Sequence, residues 1–388
     1  GGGNGWRRQR LVVGTSYPRV PFRRCGPGAS VPSWAVLAWR TLVDQADEPD
    51  KTPDKTPDKT MDIPDYYLPE EVIAQVPAEP RDSARLLVAL GGAVAHRRVA
   101  DLPGLLCDGD VLVVNTSKVL AARLALRKAS GGAAEVLLLE PVTGDVGVWE
   151  ALVRPGRRLA PGTVLFRGSE AVIEVGERLP GGARQIRSLV EDLGSYGSVA
   201  LPPYIHIPLA DPERYQTVYA DRPGSVAAPT AGLHLTAAVL ERCRARGVKV
   251  AHVDLAVGLG TFRPIKAGQV EAHTMHAERY LVPEATWQAC REAKRVVAVG
   301  TTTVRALESA AATGLLEGRT ELYMRPGHDF SVVDVLMTNF HQPRSTLLVL
   351  LEAFAGPRWR DLYALGLAEG YRFLSFGDAM VVGRDAAR

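Results

Sequence analysis

The stretch TAAVLERCRARGVKVAHVDL, from Thr236 to Leu255, reads as a helix followed by a buried strand. Thr236 is suited to cap a helix over Thr236–Arg246, Gly247 to stop it, and Val248–Leu255 to run on as a strand. The same alternation continues downstream. Pro283–Arg295 reads as a helix, Val296–Val299 as a buried strand and Thr303–Thr313 as a helix. Val332–Leu336 then reads as a strand and Ser345–Ala355 as an apolar helix. Alternating helices and strands predict an α/β layered domain.

Working upstream, the run VLVV at Val111–Val114 follows a Gly-Asp turn and reads as another buried strand, within Leu105–Val114. Residues 119–205 differ. Short β-prone runs at Val136–Leu139, Val148–Val153, Thr163–Phe166 and Ala171–Val175 alternate with Gly- and Pro-rich turns, which predicts a small barrel. The expected fold class is α/β: an α/β/α layered domain of residues 61–118 and 206–388, with a β-barrel of residues 119–205 inserted. Residues 1–60 carry the triple PDKT repeat ending at Thr60, just before Met61. They read as a disordered leader or translated upstream segment, because such a composition cannot offset its ordering entropy. Removing it is expected to change neither stability nor activity.

Composition narrows the function classes. Hydrophobic residues are 46% of 388 and charged residues 23%, as in an ordinary globular protein. The apolar run around Leu347–Leu351 ends at Glu352, far short of the roughly 20 residues a membrane span needs. A net charge of +3 excludes a polycationic arm but not a local basic patch. The four cysteines, Cys25, Cys107, Cys243 and Cys290, form no CxxC pair, so zinc-finger and thioredoxin readings have no support. They suit a reduced, cytoplasmic protein.

Polar and small residues cluster in YQTVYA (Tyr215–Ala220), PGSVAAPTAGLHLT (Pro223–Thr236) and VGLGTFRPI (Val257–Ile265). They recur in EAHTMHAE (Glu271–Glu278), VGTTTVRALES (Val299–Ser309) and TNFHQPRSTL (Thr338–Leu347). Small residues admit a ligand close to the backbone, and the polar ones supply donors and acceptors. Gly258-Leu259-Gly260 lacks the third glycine of a dinucleotide fingerprint. HTMH, with His273 and His276, is weak as a metal signal because no third ligand has helpful spacing.

With the opening DYYLPEEVIAQVPAEPRDSARLLV, the hairpin-like RKASGGAAEVLLLE and the closing YRFLSFGDAMVV, these segments resemble the S-adenosylmethionine:tRNA ribosyltransferase-isomerases of queuosine biosynthesis. The likeness runs from Met61 almost to the end. It implies transfer and isomerisation of the ribosyl part of S-adenosylmethionine onto 7-aminomethyl-7-deazaguanine in tRNA, giving epoxyqueuosine and releasing adenine and methionine. S-adenosylmethionine is then a co-substrate, and neither a metal nor a cofactor is implied. The expected partners are S-adenosylmethionine and tRNA, with no membrane, and the chain is expected to be a monomer. Such chemistry needs a base for the C5′ proton beside the sulfonium, donors at the leaving adenine and a basic surface for tRNA.

On that reading His234 is the first choice for a base or orienting group. His276, Glu278 and Thr230 are the other catalytic candidates, Glu278 as counter-charge to the sulfonium or in proton transfer. Thr301, Thr302 and Thr303 open a helix after a strand and suit the methionine carboxylate; the alternative is simple N-capping. Asn339 and His341 are candidates for adenine or the acceptor base, with Arg123, Tyr215 and Arg263 as further substrate contacts. Arg154, Arg157, Arg158 and Lys118 are candidate phosphate contacts; the alternative is a solvated hairpin tip. The chain departs from the family pattern at Ala256, where His is usual, at Ala272, where an acidic residue is usual, and in Asn115-Thr116-Ser117-Lys118. Those departures leave open a relative acting on a small-molecule acceptor, or a non-catalytic RNA-binding relative.

Overall fold

The computed structural model describes residues 63–142, 144–179, 182–258 and 275–384. A nine-stranded mixed sheet forms its centre. Its strands are β1 (Arg85–Ala89), β2 (Ala95–Arg98), β3 (Asp110–Asn115), β13 (Lys249–Leu255), β14 (Glu278–Leu281), β15 (Arg295–Val299), β16 (Glu317–Thr320), β17 (Val335–Asn339) and β18 (Ala379–Gly383), in the order β16-β14-β13-β3-β15-β17-β18-β1-β2. The middle four, β13-β3-β15-β17, are mutually parallel. All six residues of β3 are buried. A parallel strand covered on both faces has no polar side to alternate with, which is why VLVV is continuous.

Both faces of the sheet are packed. Leu112, Val114, Val297 and Met337 face α1 (Ala237–Arg244) through Val239, Leu240 and Cys243. Val111, Val113, Val296 and Leu336 face α2 (Glu284–Glu292), α3 (Thr301–Thr313), α4 (Thr346–Ala355) and α5 (Trp359–Ala368). The layering is therefore α/β/α. Alternate residues of each central strand feed opposite cores, as a period of two requires.

Between β3 and β13 the chain leaves the sheet. It makes β4 (Ser117–Val119), then β5 (Arg123–Lys128), β6 (Ala133–Pro141), β7 (Val148–Arg154), β8 (Thr163–Arg167), β9 (Glu170–Arg178), β10 (Arg184–Ser188) and β11 (Gly197–Ser198). The cycle β5-β6-β7-β10-β9-β8 is closed by β5 pairing with β8, a six-stranded antiparallel barrel, and β11 adds to β5. Leu124, Leu126, Val136, Ile173 and Ile186 share its core. Closure removes free edges from the six strands. The chain re-enters through β12 (Arg222–Ser225), which runs parallel to β4.

Thr236 caps α1 as expected, its hydroxyl accepting from Val239 N at 3.2 Å. The helix expected from Thr303 starts two residues earlier, at Thr301, and its cap is Gly300 at φ +88°. That is a left-handed conformation in which a side chain is strained. The strand expected over Val332–Leu336 is shifted to Val335–Asn339, so Asn339 ends a strand.

Candidate active site

The parallel strands β3, β13, β15 and β17 end on one edge of the sheet, at Asn115, Leu255, Val299 and Asn339. The chain leaving β3 returns at β13 on one side, whereas the chain leaving β15 returns at β17 on the other. The crevice outside β3 and β15 is therefore a topological switch point, where ligands bind in open α/β sheets.

Asn115 spans this crevice and is fully buried. Its Oδ1 accepts from Ser117 N at 3.0 Å and Leu255 N at 3.1 Å. Two backbone donors fix the amide orientation, so Nδ2 is the group that donates to Leu255 O at 3.0 Å and Thr302 Oγ1 at 3.2 Å. Thr302 accepts that bond and keeps its own proton for another acceptor. The Thr303 hydroxyl is used differently, donating to Val299 O at 2.7 Å within its own turn. Thr301 and Thr302 line a cavity with Glu278, Arg305, Met324 and Thr346.

Asn339 is a second node. Its Nδ2 donates to Leu374 O at 3.2 Å and Asp378 O at 3.4 Å, which fixes this amide too. Oδ1 then accepts from Thr230 Oγ1 at 3.1 Å, and Nδ2 also reaches His234 Nε2 at 3.0 Å. Nε2 must accept, so the proton of the neutral ring lies on Nδ1. Burial, reinforced by the positive charges of Arg372 and Arg81, pushes His234 down to about 4. Thr230 and His234 lie on one tight turn, Thr230–His234. Gly232 is required there, because a Cβ would sit 2.0 Å from the Tyr219 hydroxyl.

His341 is held at three points. Its Nε2 lies 2.9 Å from Thr338 Oγ1, its N–H donates to Tyr363 Oη at 2.7 Å and its carbonyl accepts from Tyr66 Oη at 2.6 Å. Burial lowers its pKa to about 3.

Glu278 is buried and engaged. One carboxylate oxygen accepts from Arg305 and the other from Gly258 N at 2.8 Å. Arg305 also donates to Thr320 O at 2.9 Å and His276 O at 3.3 Å, and burial lowers its pKa. The pair thus ties β14, the end of the β13 segment and α3 together. His276 is exposed and lies outside any helix, just before β14, so the helical pairing considered for HTMH is not formed at His276.

Tyr215 is fully buried, edge-on to Phe376 at 5.9 Å, in a cluster with Leu233. Arg123 sits on the barrel strand β5 and pairs with Glu135 at 3.0 Å. Arg154 ends β7 opposite Glu135 in register, and burial lowers its pKa. Arg158 is exposed and lines a barrel groove with Glu177, Arg178 and Arg184. Lys118 is half-buried on β4. Arg263, His273, Ala272, the side chain of Arg157 and residues 1–60 lie outside the described residues. Ala256 is half-buried at the end of β13, its N–H donating to Arg279 O at 3.0 Å.

Sequence reasoning did not assign Asn115, Arg305 or Thr346 to the site. For Asn115 the signal was present, since a polar residue closing a wholly apolar parallel strand sits at the ligand-facing edge.

The model of the queuosine biosynthesis protein family matches residues 62–382. The S-adenosylmethionine:tRNA ribosyltransferase-isomerase of Thermus thermophilus is 52% identical over 345 residues, covering 82% of this chain and 98% of the relative. That of Rubrobacter xylanophilus is 49% identical over 327 residues, covering 82% and 96%. The crystal structure of an S-adenosylmethionine tRNA ribosyltransferase from Thermotoga maritima is 36% identical and covers 82% of this chain and 99% of that one, with a TM-score of 0.48. With 321 residues matched by the family model and about half of the aligned positions shared with the Thermus and Rubrobacter enzymes, the chain belongs to the queuosine biosynthesis protein family.

Proposed function

We propose that this enzyme transfers the ribosyl part of S-adenosylmethionine to 7-aminomethyl-7-deazaguanine in tRNA and rearranges it to the epoxycyclopentane of epoxyqueuosine. Adenine and methionine leave. The observation that carries this reading is the pair of oriented asparagines at the switch-point edge, Asn115 holding Thr302 and Asn339 holding His234 and Thr230. They give one edge both a fixed hydroxyl donor and a fixed neutral imidazole.

In this reading Thr301 and Thr302 take the methionine carboxylate. His234 is a weak base with its Nε2 lone pair in use, so its part is to donate from Nδ1, to the leaving adenine or to the acceptor base, and Thr230 and Asn339 orient it. A donor fixed before reaction stabilises a developing negative charge without reorganisation. Glu278 acts through Arg305 and Gly258, fixing the segment beside the cavity. Arg154, Arg158 and Lys118 supply phosphate contacts, which give affinity rather than specificity. No metal or cofactor enters the scheme.

The test incubates the full chain with S-adenosylmethionine, with and without tRNA bearing 7-aminomethyl-7-deazaguanine, and follows adenine, methionine and the nucleoside by mass spectrometry. Adenine and epoxyqueuosine together, only with tRNA, support the proposal. Ala256 favours a second reading, a small-molecule acceptor, because an alanine at the site edge has no proton to give or take. Adenine release without modified tRNA supports that one.

A further inference from the structure

Two helices begin at the same cavity. α3 has thirteen residues and starts with Thr301 and Thr302; α4 has ten and starts with Thr346. Each helix N-terminus carries about half a positive charge and unsatisfied N–H groups. All three threonines line the cavity.

Their hydroxyls are not used up by the fold. Thr346 is 4% exposed, and its Oγ1 has no hydrogen-bond partner. A buried hydroxyl without a partner is costly and marks a place where something else completes it. Thr302 accepts from Asn115 and so has a proton to donate. The Nε–H of Arg305, in the same lining, is also buried without a partner. The cavity therefore presents donors in excess of acceptors, at two positive helix ends. The negative charge of Glu278 is balanced by its ion pair with Arg305, and its other oxygen accepts from Gly258 N.

The size is compatible with a small anionic group. A volume of about 30 Å³ is two to three times the roughly 10–15 Å³ that one water needs. That is room enough for a carboxylate. Met324, Leu347 and Leu350 add an apolar part to the wall, which suits an aliphatic chain behind the carboxylate.

The geometry points to Thr346 as a binding residue for the co-substrate, donating with Thr301 and Thr302 to the α-carboxylate of its amino-acid end. This rests on the reading that the co-substrate is S-adenosylmethionine, and it adds a residue from a helix that the sequence did not associate with that carboxylate.

The test is equilibrium binding of two sulfonium probes, S-adenosylmethionine and its decarboxylated analogue, to the wild type, Thr346→Val and Thr346→Ser. The wild type should prefer the carboxylate-bearing probe. Thr346→Val keeps the shape and removes one charge-assisted bond, so it should weaken S-adenosylmethionine by roughly 10- to 100-fold. The analogue's affinity should stay within about twofold, and Thr346→Ser should restore most of the preference, because the variants change only a bond to the carboxylate. Equal binding of the two probes by the wild type overturns the inference. So does Thr346→Val that binds S-adenosylmethionine normally, or that loses both probes equally, which is a packing effect. A folded wild type that binds neither probe overturns the reading beneath it as well.

Discussion

Asn339 Nδ2 lies 3.0 Å from Nε2 of His234, 3.2 Å from the Leu374 carbonyl and 3.4 Å from the Asp378 carbonyl, so its two protons are shared among three acceptors. The amide therefore cannot turn over without breaking its bonds to two carbonyls. His234 is held as a neutral ring with its proton on Nδ1, pointing the enzyme's use of it toward donation.

Asn339→Asp replaces that donor with an acceptor and forces a proton onto Nε2. The expected result is a loss of about 10²–10³ in kcat, the range for removing a fixed donor from a transition state. Nitrogen NMR of the labelled imidazole should show the switch to the Nε2–H or doubly protonated form. His234→Ala should abolish turnover and leave the far-ultraviolet circular dichroism unchanged. Normal product formation by His234→Ala removes His234 from the site.

Acid should unfold the protein partly through two buried histidines. His234 titrates near 4 when folded against 6.5 ordinarily, and His341 near 3, burial being the main cause in both. Between these values the unfolded chain binds more protons, so stability is fully present above about pH 6.5 and falls as pH drops toward 4. His234 alone contributes about 3 kcal/mol to that fall, at about 1.4 kcal/mol per unit. Urea unfolding between pH 7 and 4 measures the slope. His341→Gln should flatten it, and an unchanged slope in that variant contradicts the assignment.

Removing Glu278 leaves the buried Arg305 guanidinium without its counter-charge, bonded only to carbonyls. Glu278→Ala should cost about 3–5 kcal/mol, the usual penalty for breaking a buried pair. Arg305→Met added to it should recover part of the loss, since the orphaned charge is then gone. A double variant no more stable than Glu278→Ala contradicts this account. Thermal and urea unfolding of the three variants decides it.

Gly232→Ala should be damaging although it adds one methyl group. Its Cβ would overlap the Tyr219 hydroxyl at 2.0 Å and touch Thr217 at 3.0 Å. Overpacking of this kind costs about 1–3 kcal/mol. Because the turn also carries Thr230 and His234, kcat should fall with stability. Tyr219→Phe in the Gly232→Ala background should restore both in part, by removing the clashing oxygen.

The central strands and the helices α1 to α4 were legible because burial on both faces leaves an unbroken apolar run, and Thr236 and Ser345 sit where N-caps belong; α5 was not read. The barrel was legible through its Gly and Pro turns. The start of α3 was missed by two residues because threonines read as caps, whereas the strained φ at Gly300 makes glycine the cap. The short strands β2, β4, β12, β14 and β16 were missed, since three or four residues carry too little periodicity, and the five-residue β1 and β18 were not read either. For the site, His234, Thr230 and Asn339 were each legible as polar residues in small-residue segments. Their joining was not, because it depends on parallel strands bringing residues 109 positions apart to one edge. Asn115 and Arg305 act through partners far away in sequence, which no spacing rule reveals. Arg123 and Tyr215 were read as substrate contacts; in the structure Arg123 pairs with Glu135 and Tyr215 packs edge-on to Phe376.

The most direct measurement of the central claim uses S-adenosylmethionine labelled separately in its ribose and in its methyl group, with precursor tRNA. The account predicts ribose label in the tRNA, methyl label in free methionine and one adenine released per ribose transferred. Methyl label in the tRNA, or adenine released with no ribose label incorporated, contradicts it.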